Sequence, residues 1–416
     1  MELLFHMNKI ADNSQDHENT ILIKPGREKS LRRFHPWVFS GAVEPESMKS
    51  VDLPIVTVRN RQGDFLGIGS YSANSQISVR IWSFDENIPI DRNFFKMRLE
   101  QAFMLRRSVG LMTADGGCRL VSSESDMLPG FVIDKYKDFA VMQISSTGAE
   151  YFKTLVAELL VKEFGLQGVF ERSDLSVREC ENLPESCGLL AGKEPPELIE
   201  INENGILFQV DIRHGHKTGF YLDQRANRRQ ARELASGKRV LNCFSYTGGF
   251  GVSCAVGNAS EVINIDSSQS ALDMCDRNMA LNKISPKQYK NICGDVFSLL
   301  RKLRADKERF DLIILDPPKF VDSRKALPRA CRAYKDIAIL GFQLLNAGGM
   351  LMSYSCSGLM EMPLFQKITA DGALDARADA EILHILGQDA DHPTALNFPE
   401  GTYLKGFLCL KKGAIR

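Results

Sequence analysis

The sequence predicts an α/β protein whose C-terminal half is a doubly wound, mostly parallel sheet, preceded by a β-rich module and a small mixed α/β segment. Three observations carry this expectation. From residue 198 onward, strand-like runs at 240–244, 261–266, 290–293, 312–316, 350–355 and 403–410 alternate with helical segments such as 269–281 and 333–345, the rhythm of a parallel sheet covered by helices. Before residue 85 the pattern is different: short β-type runs at 55–58, 65–71 and 77–82 are separated by turn formers such as Asn60-Arg61-Gln62-Gly63. Between these regions a helical pattern at 94–109, strands at 130–134 and 139–144 and a helix at 150–163 mix the two periods, and Lys193-Glu194-Pro195-Pro196 reads as a linker.

A chain of 416 residues is long for one core. The changes of rhythm divide it into an N-terminal extension (1–20), a β-rich module (21–88), a central α/β part (89–197) and the doubly wound domain (198–416). A hydrophobic share of 44% and a charged share of 25% are those of an ordinary globular protein. No apolar run approaches the roughly 20 residues of a membrane span, and residues 1–20 lack the basic flank and long apolar core of an export signal. Ten cysteines without such a signal imply a reducing, cytoplasmic setting with free thiols. No two form a CxxC pair, so no metal site is expected, and most should be small buried hydrophobes. Lys plus Arg and Asp plus Glu each number 52; that balance argues against indiscriminate coating of nucleic acid and leaves local basic patches open.

The first strand of the doubly wound part runs through Phe244 into Ser245-Tyr246-Thr247-Gly248-Gly249-Phe250-Gly251. A glycine-rich turn there lets backbone approach a ligand and aims the next helix's amides at it. It is not the GxGxxG fingerprint and no Walker lysine follows, which disfavours NAD and ATP; Gly248 and Gly249 also read simply as a tight turn. Asp266 ends the second strand, where a carboxylate can accept ribose hydroxyls. Asp295 follows the third, placed to accept from an adenine amino group. Singly, each also reads as a helix N-cap; their recurrence at successive strand ends favours a cofactor.

The fourth strand ends in Asp316-Pro317-Pro318-Lys319-Phe320. An acidic-Pro-Pro-aromatic loop can grip the exocyclic amine of a base, with prolines stiffening the turn and leaving carbonyls free to accept. This points to a base-modifying methyltransferase without naming the base. The fifth strand places Cys356 at its carboxyl end in Ser355-Cys356-Ser357-Gly358. Carbon 5 of cytosine is too weak a nucleophile to take a methyl group directly, whereas a thiolate adding at carbon 6 makes it enamine-like. A random free cysteine is usually core, but the polar flanks of Cys356 make a strand-end thiol the better reading. Cys243, Cys254, Cys275 and Cys293 keep the core reading.

The runs Arg33 to Gly41, His214 to Arg225, Leu241 to Phe250, Asp316 to Phe320 and Ser355 to Gly358 closely resemble the ribosomal RNA large subunit methyltransferase I family, over nearly the whole chain after residue 21. The resemblance implies an N-terminal PUA domain that binds RNA, a small central α/β domain and a Rossmann-like class I methyltransferase domain using S-adenosyl-L-methionine. It implies methylation of cytosine carbon 5 in 23S rRNA, with Cys356 as the single nucleophile; Pro318 stands where some other cytosine methyltransferases carry a second cysteine. It also implies that Tyr221, Asp223 and Gln224 cover the cofactor alongside Phe244 to Gly248, Asp266, Asp295 and Asp316. On this reading Asp316 holds the base and Lys319 lowers the thiol pKa or holds a phosphate, although a surface lysine is the plain alternative. The extension at 1–20 departs from the family.

Lys24, Arg27, Lys29, Arg32, Arg33 and His35, with Trp37 among them, form a cationic and aromatic cluster of the kind that holds RNA loops; Trp37 also reads as core of the small module. A second cationic run contains Arg213, Lys217, Arg225 and Arg228, with the arginines expected to face RNA. A homodimer stays open. Two rival functions stay open as well. One is a purine amino-methyltransferase working through Asp316 to Lys319, separable by mass spectrometry of digested nucleosides. The other is a non-catalytic rRNA assembly factor, which failure to bind S-adenosylmethionine would favour.

Overall fold

The computed structural model describes residues 19–48, 55–174, 176–321 and 323–415, so nearly all of the 1–20 extension lies outside it. In the first part β1 (Thr20–Ile23), β2 (Trp37–Phe39), β3 (Ile55–Asn60), β4 (Phe65–Tyr71) and β5 (Ile77–Ser83) form a sheet in the order β1-β3-β4-β5-β2. β3 alternates half-buried and buried residues, the period of a strand with one face on a core. Val79 and Ile81 of β5 belong to that core. Trp82, on the opposite face from Ile81, packs instead against Phe94, Phe95, Phe131 and Phe152 of the next part. The two parts therefore share a packed seam.

In the central part α1 (Arg92–Ser108), β6 (Gly117–Ser122), β7 (Phe131–Tyr136), β8 (Phe139–Ile144), α2 (Thr147–Lys162), β9 (Gly168–Ser173) and β10 (Ser186–Gly192) build a second sheet, order β10-β9-β8-β7-β6. Both helices start at capping side chains: Asp91 accepts from the Phe94 amide and Ser146 from the Ala149 amide. A hairpin follows, β11 (Ile199–Glu203) and β12 (Ile206–Val210). It turns at Asn204 and Gly205, both with positive φ (54° and 84°), the conformation an Asn-Gly pair favours.

The remaining elements are α3 (Arg225–Leu234), β13 (Arg239–Cys243), α4 (Gly249–Val256), β14 (Glu261–Asp266), α5 (Gln269–Leu281), β15 (Tyr289–Cys293), α6 (Val296–Ala305), β16 (Phe310–Leu315), α7 (Leu327–Leu344), β17 (Leu345–Ser355), α8 (Met362–Asp375), β18 (Ala378–Gly387) and β19 (Lys405–Ala414). They form a sheet in the order β15-β14-β13-β16-β17-β19-β18, parallel from β15 to β17 and antiparallel at β19 and β18. The central strand β16 is an almost unbroken apolar run, FDLIIL, because both its faces are covered. The chain reverses direction across the sheet between β13 and β16, and their carboxyl ends form the switch point where such sheets bind ligands.

One expectation needs correction. Cys118, Cys243, Cys254, Cys275 and Cys409 are buried, but Cys180, Cys187 and Cys293 are exposed and Cys331 and Cys356 half-buried. Cys187 and Cys293 lie on β10 and β15, the edges of their sheets, where one side lacks cover. Among the described residues no helix is long and apolar enough to cross a membrane.

Candidate active site

The ends of β13 and β16 open onto a cavity of about 330 Å³. Lys217, Tyr221, Asp223, Gln224, Phe244, Ser245, Tyr246, Thr247, Asp266, Asp316, Pro317, Pro318, Lys319 and Cys356 all line it, together with His216, Phe220, Arg228, Gly249, Phe250 and Leu404. Segments from every strand end of the switch region thus converge on one space.

One wall is the turn after β13. Phe244 and Tyr246 both have positive φ (58° and 48°), a conformation that costs a non-glycine residue about 1–2 kcal/mol. Hydrogen bonds hold them there. The Tyr246 amide donates to Asp266 Oδ2 at 2.7 Å, and the Ser245 amide to the Ile265 carbonyl at 3.0 Å. Asp266 Oδ1 also accepts from the Ser268 amide at 2.9 Å, so this carboxylate fixes the turn while facing the cavity. Gly248 precedes α4 with φ +82°, and a Cβ there would meet Cys275 Sγ at 2.3 Å; it makes the turn rather than lining the cavity.

Three buried polar atoms have no protein partner here: Ser245 Oγ, Thr247 Oγ1 and Asp223 Oδ1. Buried groups of this kind are nearly always bonded, and all three residues line the cavity. A donor–acceptor ligand with an ammonium and hydroxyls, such as S-adenosylmethionine, fits this set. Tyr403, far away in sequence, donates to the other oxygen of Asp223 at 2.6 Å. The Asp223 carboxyl, which burial alone would push up, is held below its ordinary range chiefly by the Lys217 charge.

Asp316 and Cys356 form the chemical wall. Burial, then the neighbouring Asp223 carboxylate, pushes the Asp316 pKa up to about 7. Burial also raises the Cys356 thiol, opposed by Lys217 and reinforced by Asp316 and Asp223. The polar flanks of Cys356 are not what aims it. Ser355 and Ser357 are both fully buried, donating to the Tyr334 hydroxyl at 2.9 Å and the Val321 carbonyl at 3.3 Å. Strand alternation then turns Cys356 the other way, into the cavity. Lys319 stands on the exposed rim of the same space.

Other candidates are held by contacts within the chain. Asp295 is exposed and caps α6, accepting from the Ser298 amide at 2.9 Å and hydroxyl at 2.6 Å; it does not line the cavity, so its N-cap reading holds. Gln224 lines the cavity with its side-chain amide donating to Asp316 Oδ2 at 3.0 Å. Arg225 is buried, donating to Asp389 and Asp391 at 2.9 Å each and to the Gly117 carbonyl at 2.7 Å. Arg228 pairs with both oxygens of Glu203 at 2.6 Å. Arg213 ties down the linker through Glu194 and the Pro195 and Pro196 carbonyls. Arg225 and Arg228 are buried and turned inward rather than toward RNA, whereas Arg213 is half-buried while it joins two segments of the chain. Sequence reasoning also missed the place of Lys217 in the cavity, and it had no signal for Tyr403 or Leu404, which reach the site only through the antiparallel return of β19.

The N-terminal cations surround a second, open groove lined by Gly26, Arg27, Lys29, Ser30, Arg33 and His35 with Leu396 and Asn397. Arg32 pairs with Asp64 at 3.1 Å, His35 with Glu400 at 3.2 Å, and Lys24 donates to the Gly41 carbonyl at 3.1 Å. Trp37 is half-buried, its indole donating to Glu124 at 2.8 Å and its ring edge-on to Phe398 at 4.8 Å. It joins three parts of the chain and is not free to stack.

Comparisons with known proteins agree with this geometry. The S-adenosylmethionine-dependent methyltransferase family matches residues 173–375, and the PUA-like domain family matches residues 21–84. A protein named ribosomal RNA large subunit methyltransferase I from Yersinia pseudotuberculosis is 48% identical over 389 residues, 94% of this chain and 98% of that protein. The protein of that name from Yersinia pestis gives the same figures: 48% over 389 residues, 94% and 98%. A solved structure from Streptococcus mutans, described as a SAM-dependent methyltransferase, superposes with TM-score 0.80 at 23% identity, covering 94% of this chain and 99% of that one. Another, a methyltransferase complexed with SAH, gives TM-score 0.81 at 22% identity over 94% and 99%. These two speak for the fold, a PUA-like domain joined to an S-adenosylmethionine-dependent Rossmann-like domain. On the near-full-length identity of the Yersinia proteins, the chain belongs to the ribosomal RNA large subunit methyltransferase I family.

Proposed function

We propose that this protein methylates carbon 5 of a cytosine in large-subunit rRNA through a covalent adduct with Cys356. The observation that carries this reading is that a thiol, Cys356, and a carboxyl with its pKa near 7, Asp316, open onto one cavity with the unpartnered polar atoms of the cofactor wall. An amino-methyltransferase has no use for that thiol.

The target base leaves its stack to enter the cavity. With its pKa near 7, Asp316 is protonated in a large share of molecules at neutral pH. Its hydroxyl donates to cytosine N3 while its other oxygen accepts from the exocyclic amine. Once its proton has left to solvent, the Cys356 thiolate bonds to carbon 6, the Asp316 proton passes to N3, and the electron pair of the ring double bond makes carbon 5 nucleophilic. S-adenosylmethionine, when bound, supplies the methyl group that carbon 5 takes up. Loss of the carbon 5 proton to a base then expels Cys356 as thiolate and restores the ring, with the N3 proton returning to Asp316. Ser245, Thr247, Asp223 and Asp266 hold the cofactor, with Tyr221, Phe244 and Tyr246 packed around it.

The groove of Arg27, Lys29 and Arg33 serves the rRNA backbone, and the parts bounded at residues 88 and 197 divide RNA binding from methyl transfer. We place the enzyme in the cytoplasm. A homodimer is supported by β18, a sheet edge with Ile382, Leu383 and Ile385 exposed. Replacing Cys356 with Ala tests the central reading: methyl transfer to rRNA disappears while calorimetric S-adenosylmethionine binding remains. Wild-type activity in that variant would sink it.

A further inference from the structure

Asp316 does not stand alone in the cavity wall. Gln224 is buried, and its Nε2 donates to Asp316 Oδ2 at 3.0 Å. Behind it lies Asn227, also buried, whose Nδ2 donates to Gln224 Oε1 at 2.6 Å and to the Gly387 carbonyl at 2.9 Å. The order of donors in this chain is not arbitrary. A backbone carbonyl can only accept, so the face of Asn227 turned to Gly387 must be its amino group. The same amino group reaches Gln224, whose oxygen must therefore face Asn227 and whose amino group must face Asp316. One carbonyl at the end of β18 thus fixes the sense of both amides.

We propose that Asn227 and Gln224 are positioning residues that hold Asp316 with its proton on Oδ1, facing N3 of the target base, while Oδ2 accepts from Gln224 and from the exocyclic amine. Oδ2 already receives a hydrogen from Gln224, and a proton placed there would face that hydrogen. The acid hydrogen is therefore presented on Oδ1, where N3 of the cytosine takes it up as Cys356 adds. The inference rests on the base-activating role of Asp316 proposed above. It assigns Gln224 to the base side of the cavity rather than to the cofactor, and it gives Asn227, on the first turn of α3, a part in the reaction without contact with either substrate.

Other charged groups facing Asp316 are Asp223, which opposes its ionisation, and Lys217 and Arg228, which favour it. Cys356 and the hydroxyls of Tyr221, Tyr334 and Tyr354 complete its surroundings. The Gln224 hydrogen bond also favours the ionised form. Removing it carries the Asp316 titration to higher pH, a change that loss of a cofactor contact would not produce.

The test is the pH profile of single-turnover methyl transfer to an rRNA fragment by Gln224→Ala, Asn227→Ala and the double variant, with S-adenosylmethionine binding measured by calorimetry. Each single variant is expected to slow transfer by about 10–100-fold and to move the inflection near neutrality upward, with cofactor affinity kept within about threefold. The double variant is expected to be no slower than Gln224→Ala, since the two amides act through one hydrogen bond to Asp316. An unmoved inflection, additive losses, or a loss explained by weaker cofactor binding would each overturn the proposal. Gln224→Leu and Asn227→Ser repeat the measurement if an alanine variant fails to fold. Methyl transfer surviving in a Cys356→Ala variant would strike at the reaction itself and leave this comparison readable.

Discussion

Lys217 holds its ammonium 4.9 Å from the centre of the Tyr221 ring at the mouth of the cavity that contains Cys356. The ring of Tyr403 lies 5.9 Å from it on another side, and among the described residues Lys217 makes no ion pair. Aromatic faces hold a cation without neutralising it. Its field is the largest charge effect opposing the rise of the Cys356 pKa, one of the two roles the sequence suggests for Lys319. Lys217→Met is therefore expected to slow alkylation of Cys356 by iodoacetamide about tenfold at pH 7.5, read on the Cys356 peptide by mass spectrometry. Lys217→Arg should stay close to wild type. An unchanged rate in Lys217→Met would assign the lysine to RNA alone.

Asp316 links the chemistry to stability. Its pKa is raised to about 7, by burial first and Asp223 second. A carboxyl raised above its unfolded value of about 3.9 favours the folded state most at low pH, and that contribution is lost as pH rises through 7. Asp316→Asn removes the penalty. The variant should be more stable than wild type at pH 8, on the order of 1–2 kcal/mol once solvent in the cavity is allowed for, and equal to it near pH 3. Thermal unfolding across that range checks this, and activity should fall at least about 100-fold.

Arg225 joins the central sheet to the loop after β18 through Gly117, Asp389 and Asp391, and Asp391 also bonds His392 at 2.8 Å. Removing one member of a buried ionic network leaves its partners uncompensated, which costs about 3–5 kcal/mol. Arg225→Met should lower stability by that order in denaturant unfolding. Its weakened RNA binding should track the unfolded fraction and leave the salt dependence unchanged.

The cations that do face solvent behave differently. Arg27 and Arg33 line the open groove beside Leu396 and Asn397. Replacing either by Ala should weaken rRNA binding across sequences and reduce the slope of log affinity against log salt by about 1. Stability and S-adenosylmethionine binding should not change. Titrations at several salt concentrations decide it.

How much of this was legible in the sequence depended on range. β4 and β8 were readable at 65–71 and near 139–144 because each strand's period is local. The β11–β12 hairpin was not legible although Asn204-Gly205 marks its turn, because each strand is only five residues long and the pair follows directly on the linker prolines. β18 escaped because its apolar residues Ile382, Leu383 and Ile385 are exposed on an edge and do not alternate cleanly. In the site, the strand-end logic led to Asp266, Asp316 and Cys356, which one cavity brings together. It failed for Asp295, where an N-cap and a ligand contact look alike in sequence. The contacts of Gln224, Arg225 and Tyr403 were not legible because their partners lie 92, 166 and 180 residues away.

The most direct measurement is a trap. In rRNA carrying 5-fluorocytidine, a carbon 5 that has taken up the methyl group has no proton to lose, so the Sγ–carbon 6 bond cannot be released. Wild-type enzyme with S-adenosylmethionine should then yield a denaturant-stable protein–RNA complex attached at Cys356, and Cys356→Ala should yield none. Absence of the adduct in wild type, together with an N-methylated purine among the digested nucleosides of ordinary rRNA, would contradict the account.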